Sequence, residues 1–334
     1  MSADETGQLQ LVELRNTQGQ TEQYYLDVES VICADQICKV VPVRLYWDLL
    51  GRYQHYELRH GVVLEKSEGQ PFDQEDYDLL QTILKNPNSS FAEMTYEDIT
   101  RTNVHGEVDG YSGATSFILG NHESVIGATW TCFTLWHWVY GEVVEVIREI
   151  SGENSTVLAL QTYIESEDDA FCTFALEEIN RKPYNSAEIQ KTVLAHASSF
   201  NEKQFFLALK YFNQWPDEVY FSSVLALLDK TSPSHSVLLL NEIVNTRRVI
   251  ATDFYDSFSR YLSSEMSYQE VDLVIQMLEK HPTNSLQIHQ QLFNLLTDDI
   301  LTSRSVYWYL SGLSLTKPQE LQLEIYYKKH QQNL

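Results

Sequence analysis

Two hydrophobic rhythms divide this chain. From Gln23 to Trp47 apolar residues tend to fall at every second position, and beyond Ser151 they recur with the period of a helix. Tyr24-Tyr25-Leu26-Asp27-Val28-Glu29-Ser30-Val31-Ile32 alternates in part and predicts a strand. Val41, Val43, Leu45 and Trp47 alternate strictly, so a strand from Cys38 to Trp47 has one buried face. Leu49 to Tyr53 turns the chain, and Gln54 to Leu58 pairs back. After Val62–Lys66 and a polar turn through Gly69, Tyr77, Leu80 and Leu84 (with Leu79 and Ile83 beside them) mark an amphipathic helix that Asp73 caps. Asn86 to Ser90 reads as a loop, and Tyr96 to Thr100 as one helical turn or a short extended piece. Over Ala128 to Phe133 the pattern fits helix and strand alike. From Thr134 to Ile150 the stripe Leu135, Trp138, Val139, Val143, Val146 and Ile150 predicts a single helix. The organisation expected is a polar segment over 1–22 that frays in part, an α+β domain over 23–150 and an all-α domain over 151–334.

In the last of these, helix-start signals recur. Asn185-x-x-Glu188, Asn201-x-x-Gln204, Ser267-x-x-Glu270 and Asn284-x-x-Gln287 have the capping-box form or its Asn equivalent. Asp217 follows Pro216 as a further cap, and Ser232-Pro233 sets a cap before a first-turn proline. Another helix is expected to start near Thr252, and Lys317-Pro318 opens a last one ending in Lys328-Lys329-His330. The starts lie about 16 residues apart, so helix pairs repeat about every 32–35 residues. That is near the tetratricopeptide period and shorter than a typical HEAT repeat, and the tetratricopeptide consensus is not visible. The expectation is an irregular HEAT/TPR-like α-solenoid with stripes such as Phe205, Leu209 and Phe212, or Val271, Val274, Met277 and Leu278. It either packs on the first domain or docks a partner protein.

Composition narrows the functional classes. Lys and Arg number 23 against 47 Asp and Glu, giving a net charge of −24. Such a surface repels nucleic-acid phosphates and anionic lipid headgroups. Hydrophobic residues make up 43%, enough for a core throughout. No run approaches the ~20 apolar residues of a transmembrane helix. The acidic start Met-Ser-Ala-Asp-Glu-Thr-Gly is no signal peptide, so the chain is expected to be either cytoplasmic or a mature form with an added Met. Cys33 and Cys38, five apart at a strand edge, form either a small disulfide or two half-buried thiols; a disulfide would imply an oxidising compartment. His105, His122 and His137 share no ligand spacing, so no metal is expected. There is no Gly-x-Ser-x-Gly, His-Glu-x-x-His or P-loop, and no catalytic residue is assigned.

One run suggests a specific chemistry, Asp109-Gly110-Tyr111-Ser112-Gly113-Ala114-Thr115. Asp109 and Ser112 bracket a tight turn, Gly113 and Ala114 clear space, and the amides with the Thr115 hydroxyl can face an oxyanion. A short helix from Ser116 to about Asn121 would add its N-terminal amides. An ordinary loop is the other reading. Asp-x-x-Ser/Thr-Gly-Ala-Thr resembles the flavinylation motif of the FMN-binding domain family, which includes flavin subunits of sodium-pumping quinone reductases. The resemblance implies FMN held on Thr115 by a phosphoester that a flavin transferase makes. Asp109, Ser112, Gly113 and Ala114 would be the recognition residues. It further implies electron exchange with a redox partner, outside the cytoplasm. Ser116-Phe117-Ile118 departs from the family's continuation. Trp47-Asp48-x-x-Gly51-x-Tyr53, the Gly-Ala-Thr loop and Thr134-Leu135-Trp136-His137 together also resemble uncharacterised bacterial proteins in which an FMN-binding-like domain precedes helical repeats.

Two functions therefore stand at this stage. One is a flavoprotein electron carrier in which Trp130, Phe133, Trp136 and Trp138 either stack on the isoalloxazine ring or pack the core. The other, which the altered residues after Thr115 favour, is a non-enzymatic scaffold with a degenerate FMN-binding domain. A hydrolase or transferase is the weaker expectation in either case.

Overall fold

The computed structural model describes residues 9–17, 19–34, 37–66, 69–95, 98–99, 122–182, 186–332 and 334, with backbone alone over 30–39. The chain divides into two compact units, Met1–Ser155 and Thr156–Leu334. The first holds an antiparallel sheet followed by helices, and the second is helical.

The sheet contains β1 (Val12–Arg15), β2 (Thr21–Ala34), β3 (Ile37–Trp47) and β4 (Tyr53–Leu58), in the order β1-β2-β3-β4. Strand β1 lies inside the segment expected to fray; its Val12 to Leu14 pair with Tyr25 to Gln23 of β2. β2 and β3 run in continuous register from Tyr24 opposite Trp47 to Ala34 opposite Ile37. One face of this sheet is core: Tyr24, Leu26, Val28, Val41, Val43, Leu45 and Trp47 are all buried. The other face carries two cross-strand rows. Tyr46 lies opposite both Tyr25 and His55, and Arg44 opposite both Asp27 and Glu57. Arg44 donates to both Asp27 oxygens at 2.7 and 2.8 Å and sits 4.0 Å above the Tyr25 ring.

Against the core face pack α1 (Gln74–Lys85), α2 (Thr129–Val139) and α3 (Val143–Asn154). Asp73 caps α1 as expected, in a reciprocal box with Asp76. The ambiguous stretch after Ala128 is helix from Thr129. The single helix expected over 134–150 is two. The N–H of Tyr140 closes α2 on the Trp136 carbonyl, and a Cβ at Gly141 would lie 2.6 Å from the His137 carbonyl oxygen. Only a residue without a side chain fits that close approach, and the chain re-enters helix at Val143. The indole N–H of Trp47 donates to the Val139 carbonyl at 3.0 Å, which ties β3 to the end of α2.

The second unit runs α4 (Val157–Ile164), α5 (Asp169–Arg181), α6 (Ala187–His196), α7 (Glu202–Phe212), α8 (Asp217–Leu228), α9 (Pro233–Val244), α10 (Thr252–Phe258), α11 (Tyr268–Lys280), α12 (Leu286–Phe293), α13 (Ile300–Ser311) and α14 (Lys317–His330). Through α13, even-numbered helices pack on even-numbered neighbours and odd on odd, so α4-α6-α8-α10-α12 and α5-α7-α9-α11-α13 form two layers. One continuous apolar cluster lies within them.

Three expected caps hold. Asn201 and Ser267 close capping boxes with Gln204 and Glu270, and Ser232 caps α9 ahead of Pro233. Others differ. Ser285 caps α12 in place of Asn284, and Ser186 caps α6, while Asn185 lies outside the described residues. Asp217 and Thr252 are first helical residues whose caps, Pro216 and Ala251, make no side-chain bond.

Candidate functional site

Asp109, Ser112, Gly113, Ala114 and Thr115, like the helix expected over Ser116–Asn121, lie outside the described residues. The flanks of that stretch are described. Ile99 on one side and Val125 on the other are buried in the core of the first unit. Ser90 donates to the Glu123 carboxylate at 2.6 Å, which fixes the returning strand of chain beside the turn at Ser90–Glu93.

Helix α2, next along the chain, carries the aromatic cluster. The Trp136 indole donates to the Asn86 carbonyl at 3.0 Å, Phe133 meets Phe91 edge-on, and Trp130 stacks on Phe133. These rings pack the core of their own unit. His137 lies on the helix surface with its ring 4.2 Å from that of Phe133 and 5.1 Å from that of Trp136. The apolar surroundings strip water from the imidazole and lower its pKa, while backbone groups of Phe91 and Met94 pull the other way.

The described residues hold no group of three side chains suited to a metal ion. Cys132 and Cys172 are buried thiols, each pushed up to about 11 by desolvation, so neither is a thiolate nucleophile at neutral pH. For Cys33 and Cys38 the backbone register is described and the side chains are not. No helix among the described residues is long and apolar enough to cross a membrane.

The second unit offers a surface that sequence reasoning did not identify. Two adjoining hollows, of about 440 and about 340 Å³, open on the even-numbered layer and share Lys191 and Ala195. Gln190, Leu194, Ala226 and Lys230 line the larger. Gln161, Glu165, Glu188, Thr192 and His196 line the smaller. The hollows lie on either side of the exposed Lys191–Ala195 edge of α6, the larger toward α8 and the smaller toward α4. The helices around them are tied by polar bonds: Gln161 to Thr192 at 3.0 Å, Gln190 to Ser223 at 3.2 Å and Lys230 to the Leu194 carbonyl at 2.8 Å.

These bonds belong to a longer series. Gln204 donates to Asp169 on its backbone and side-chain oxygens, and Gln214 to Asn180. Arg248 reaches Asn213, Trp215 and Asp217, and Tyr261 reaches Leu225 and Asp229. Ser236 donates to Glu270, Lys280 to Asn245, and Lys329 to Asp298. In each of these the partners are 31–36 positions apart. Other bonds within the layers have shorter spacings, Lys203 to Glu177 at 26 positions, Asn180 to the Leu207 carbonyl at 27, and Asn213 to Glu242 and Ser285 to Asp256 at 29, so the cross-links join successive helix pairs without one fixed spacing.

Compared with known proteins, the chain matches no protein-family model, no curated sequence and no solved structure.

Proposed function

We propose that this protein is a binding scaffold whose helical half is an irregular α-solenoid that receives a partner protein along the even-numbered layer. The observation that carries this reading is the series of cross-links between successive helix pairs. A stack whose successive helix pairs are tied to one another keeps its exposed side chains in rows, and such rows suit an extended ligand. The hollows beside Lys191 and Ala195 supply apolar surface, two amides and charges of both signs, groups that can meet a peptide's side chains and backbone.

Site-specific photo-crosslinking in the native host tests the reading. A benzophenone side chain at Ala195 should give discrete protein adducts, and one at Val249, exposed away from both hollows, should not. The paired charge reversals Lys191→Glu and Lys230→Glu should remove the Ala195 adducts while the helical circular dichroism persists. Equal labelling at both positions, or adducts indifferent to the charge reversals, would overturn it.

A second reading is the flavoprotein, with FMN on Thr115 and electrons passing to a docked redox partner. Two observations favour it: the Asp109–Thr115 motif, and the anchoring of both flanks of its segment in one core. The cofactor would supply the redox chemistry and the protein its position. Co-expression with a flavin transferase, followed by intact mass measurement, separates the readings. A phosphoester-linked FMN increment that Thr115→Ala abolishes supports the carrier. Its absence from wild-type protein leaves the scaffold alone.

A further inference from the structure

We propose that Cys33 and Cys38 form a reversible disulfide across the end of the β2–β3 hairpin, a thiol switch carried by an arm of the sheet. Three observations lead there. The first is register: Cys33 lies directly opposite Cys38, one pair before Ala34 opposite Ile37. Opposed residues of an antiparallel ladder have Cα atoms about 4.5 or about 5.5 Å apart, depending on whether the pair is hydrogen-bonded. Both values fall within the roughly 4.4–6.8 Å that a disulfide spans. The pairing therefore needs no slip of the strands.

The second is the face. Even positions of β2 (Tyr24, Leu26, Val28) and odd positions of β3 (Val41, Val43, Leu45) are buried. Cys33 and Cys38 have the opposite parity, which puts both on the face that carries Asp27, Arg44 and the 53% exposed Val40.

The third is what the end of the hairpin lacks. β1 accompanies β2 only as far as Tyr25, and β4 accompanies β3 only from Val43. From Glu29 to Ala34 and from Ile37 to Pro42 the two strands have only each other among the described residues. A two-stranded ribbon is marginal alone in water, and a covalent tie near its end holds the pairing that a third strand would otherwise support.

The reaction balances with a small-molecule disulfide as oxidant. One cysteine thiolate attacks a sulfur of glutathione disulfide and expels a glutathione thiolate. The second cysteine thiolate then attacks the mixed disulfide at the protein sulfur and expels the other. The protein loses two electrons and two protons as one S–S bond forms, and the oxidant becomes two thiols.

Full-length protein equilibrated in glutathione buffers, acid-quenched, alkylated and cut with trypsin reads this out. No Lys or Arg lies between Asn16 and Lys39, so one peptide carries both cysteines. In oxidising buffer it should be unalkylated and two hydrogens lighter, and excess dithiothreitol should restore two alkyl groups. Cys132 and Cys172, buried elsewhere, act as internal controls that alkylate after unfolding in both states. In Cys33→Ser, Cys38 should alkylate or take up one glutathione and never lose mass. A wild-type peptide with two glutathione adducts, one linked only to a second chain, or one fully alkylated in oxidising buffer would overturn the proposal.

Discussion

Replacing Gly51 by Ala tests how the β3–β4 turn is seated. Gly51 has φ +75°, a left-handed conformation that costs an L-residue about 1–2 kcal/mol. It is also buried, and a Cβ there would lie 2.8 Å from Val144 Cγ1, 3.0 Å from the Val144 carbonyl oxygen and 3.1 Å from Val144 Cα, in the first turn of α3. Two of those three atoms are backbone and cannot rotate away, so overpacking adds about 1–3 kcal/mol. Gly61 is the control: its φ is +80°, and no atom lies within 4 Å of a Cβ built on it. Gly61→Ala should therefore cost about 1–2 kcal/mol and Gly51→Ala about 2–5 kcal/mol. Val144→Ala in the Gly51→Ala background removes only the Cγ1 contact, so it should recover part of the difference. Urea unfolding followed by tryptophan fluorescence measures the effect. Trp47, Trp130, Trp136 and Trp138 report on the first unit, against Trp215 and Trp308 in the second. If the two glycine variants lose the same stability, the turn is not pressed on α3 and the argument fails.

Gln204 is 1% exposed, donates to Asp169 and Thr173 on α5, and accepts from the Asn201 N–H. Gln204→Ala removes bonds whose partners, Asp169, Thr173 and Asn201, are exposed or half-buried and can turn to water, so a loss of about 1–2 kcal/mol in the helical unit's urea unfolding should follow, with Lys203→Ala at the exposed neighbouring position losing under about 1 kcal/mol. His235 and His289 both have pKa values lowered from 6.5 by desolvation, the first with its ring stacked at 4.3 Å on Phe205. A lowered folded-state pKa means that the unfolded chain binds more protons in the window below 6.5, so stability falls as pH falls through it. The melting temperature of the wild type should drop between pH 7.5 and 5.5, and the double variant His235→Gln/His289→Gln should show a shallower drop; an unchanged slope would refute the assignment.

Much of the architecture was legible wherever a side chain's own chemistry fixes the backbone. Asp73, Asn201, Ser232 and Ser267 each hold the first amides of a helix, and a cap of that kind needs no knowledge of distant residues. Asn284 was one residue out because it precedes Ser285: two competent caps are adjacent, and packing chooses between them. Helices α4 and α5 escaped notice because their caps, Thr156 and Asp168, have Ala159 and Phe171 three residues on in place of Glu or Gln. Strand β1 escaped because Val12 to Arg15 is short and needs β2 beside it. The hollows beside α6 were illegible for another reason. Lys191 and Lys230 approach only when α6 and α8 stack, so their meaning lies in the pairing of helices and not in either helix's sequence.

The polar series along the helical unit has one more implication. Substantial packing links each helix only to those adjoining it in the chain or in its layer. In the α-solenoid proposed above, mechanical load or thermal fluctuation would be handed along from joint to joint, and the weakest joint would decide where the array comes apart. Arg248, which bonds three residues of the preceding turn region at once, is a clasp in that sense: remove it, and the array should melt as two shorter blocks, with α4 to α8 parting from α9 to α14.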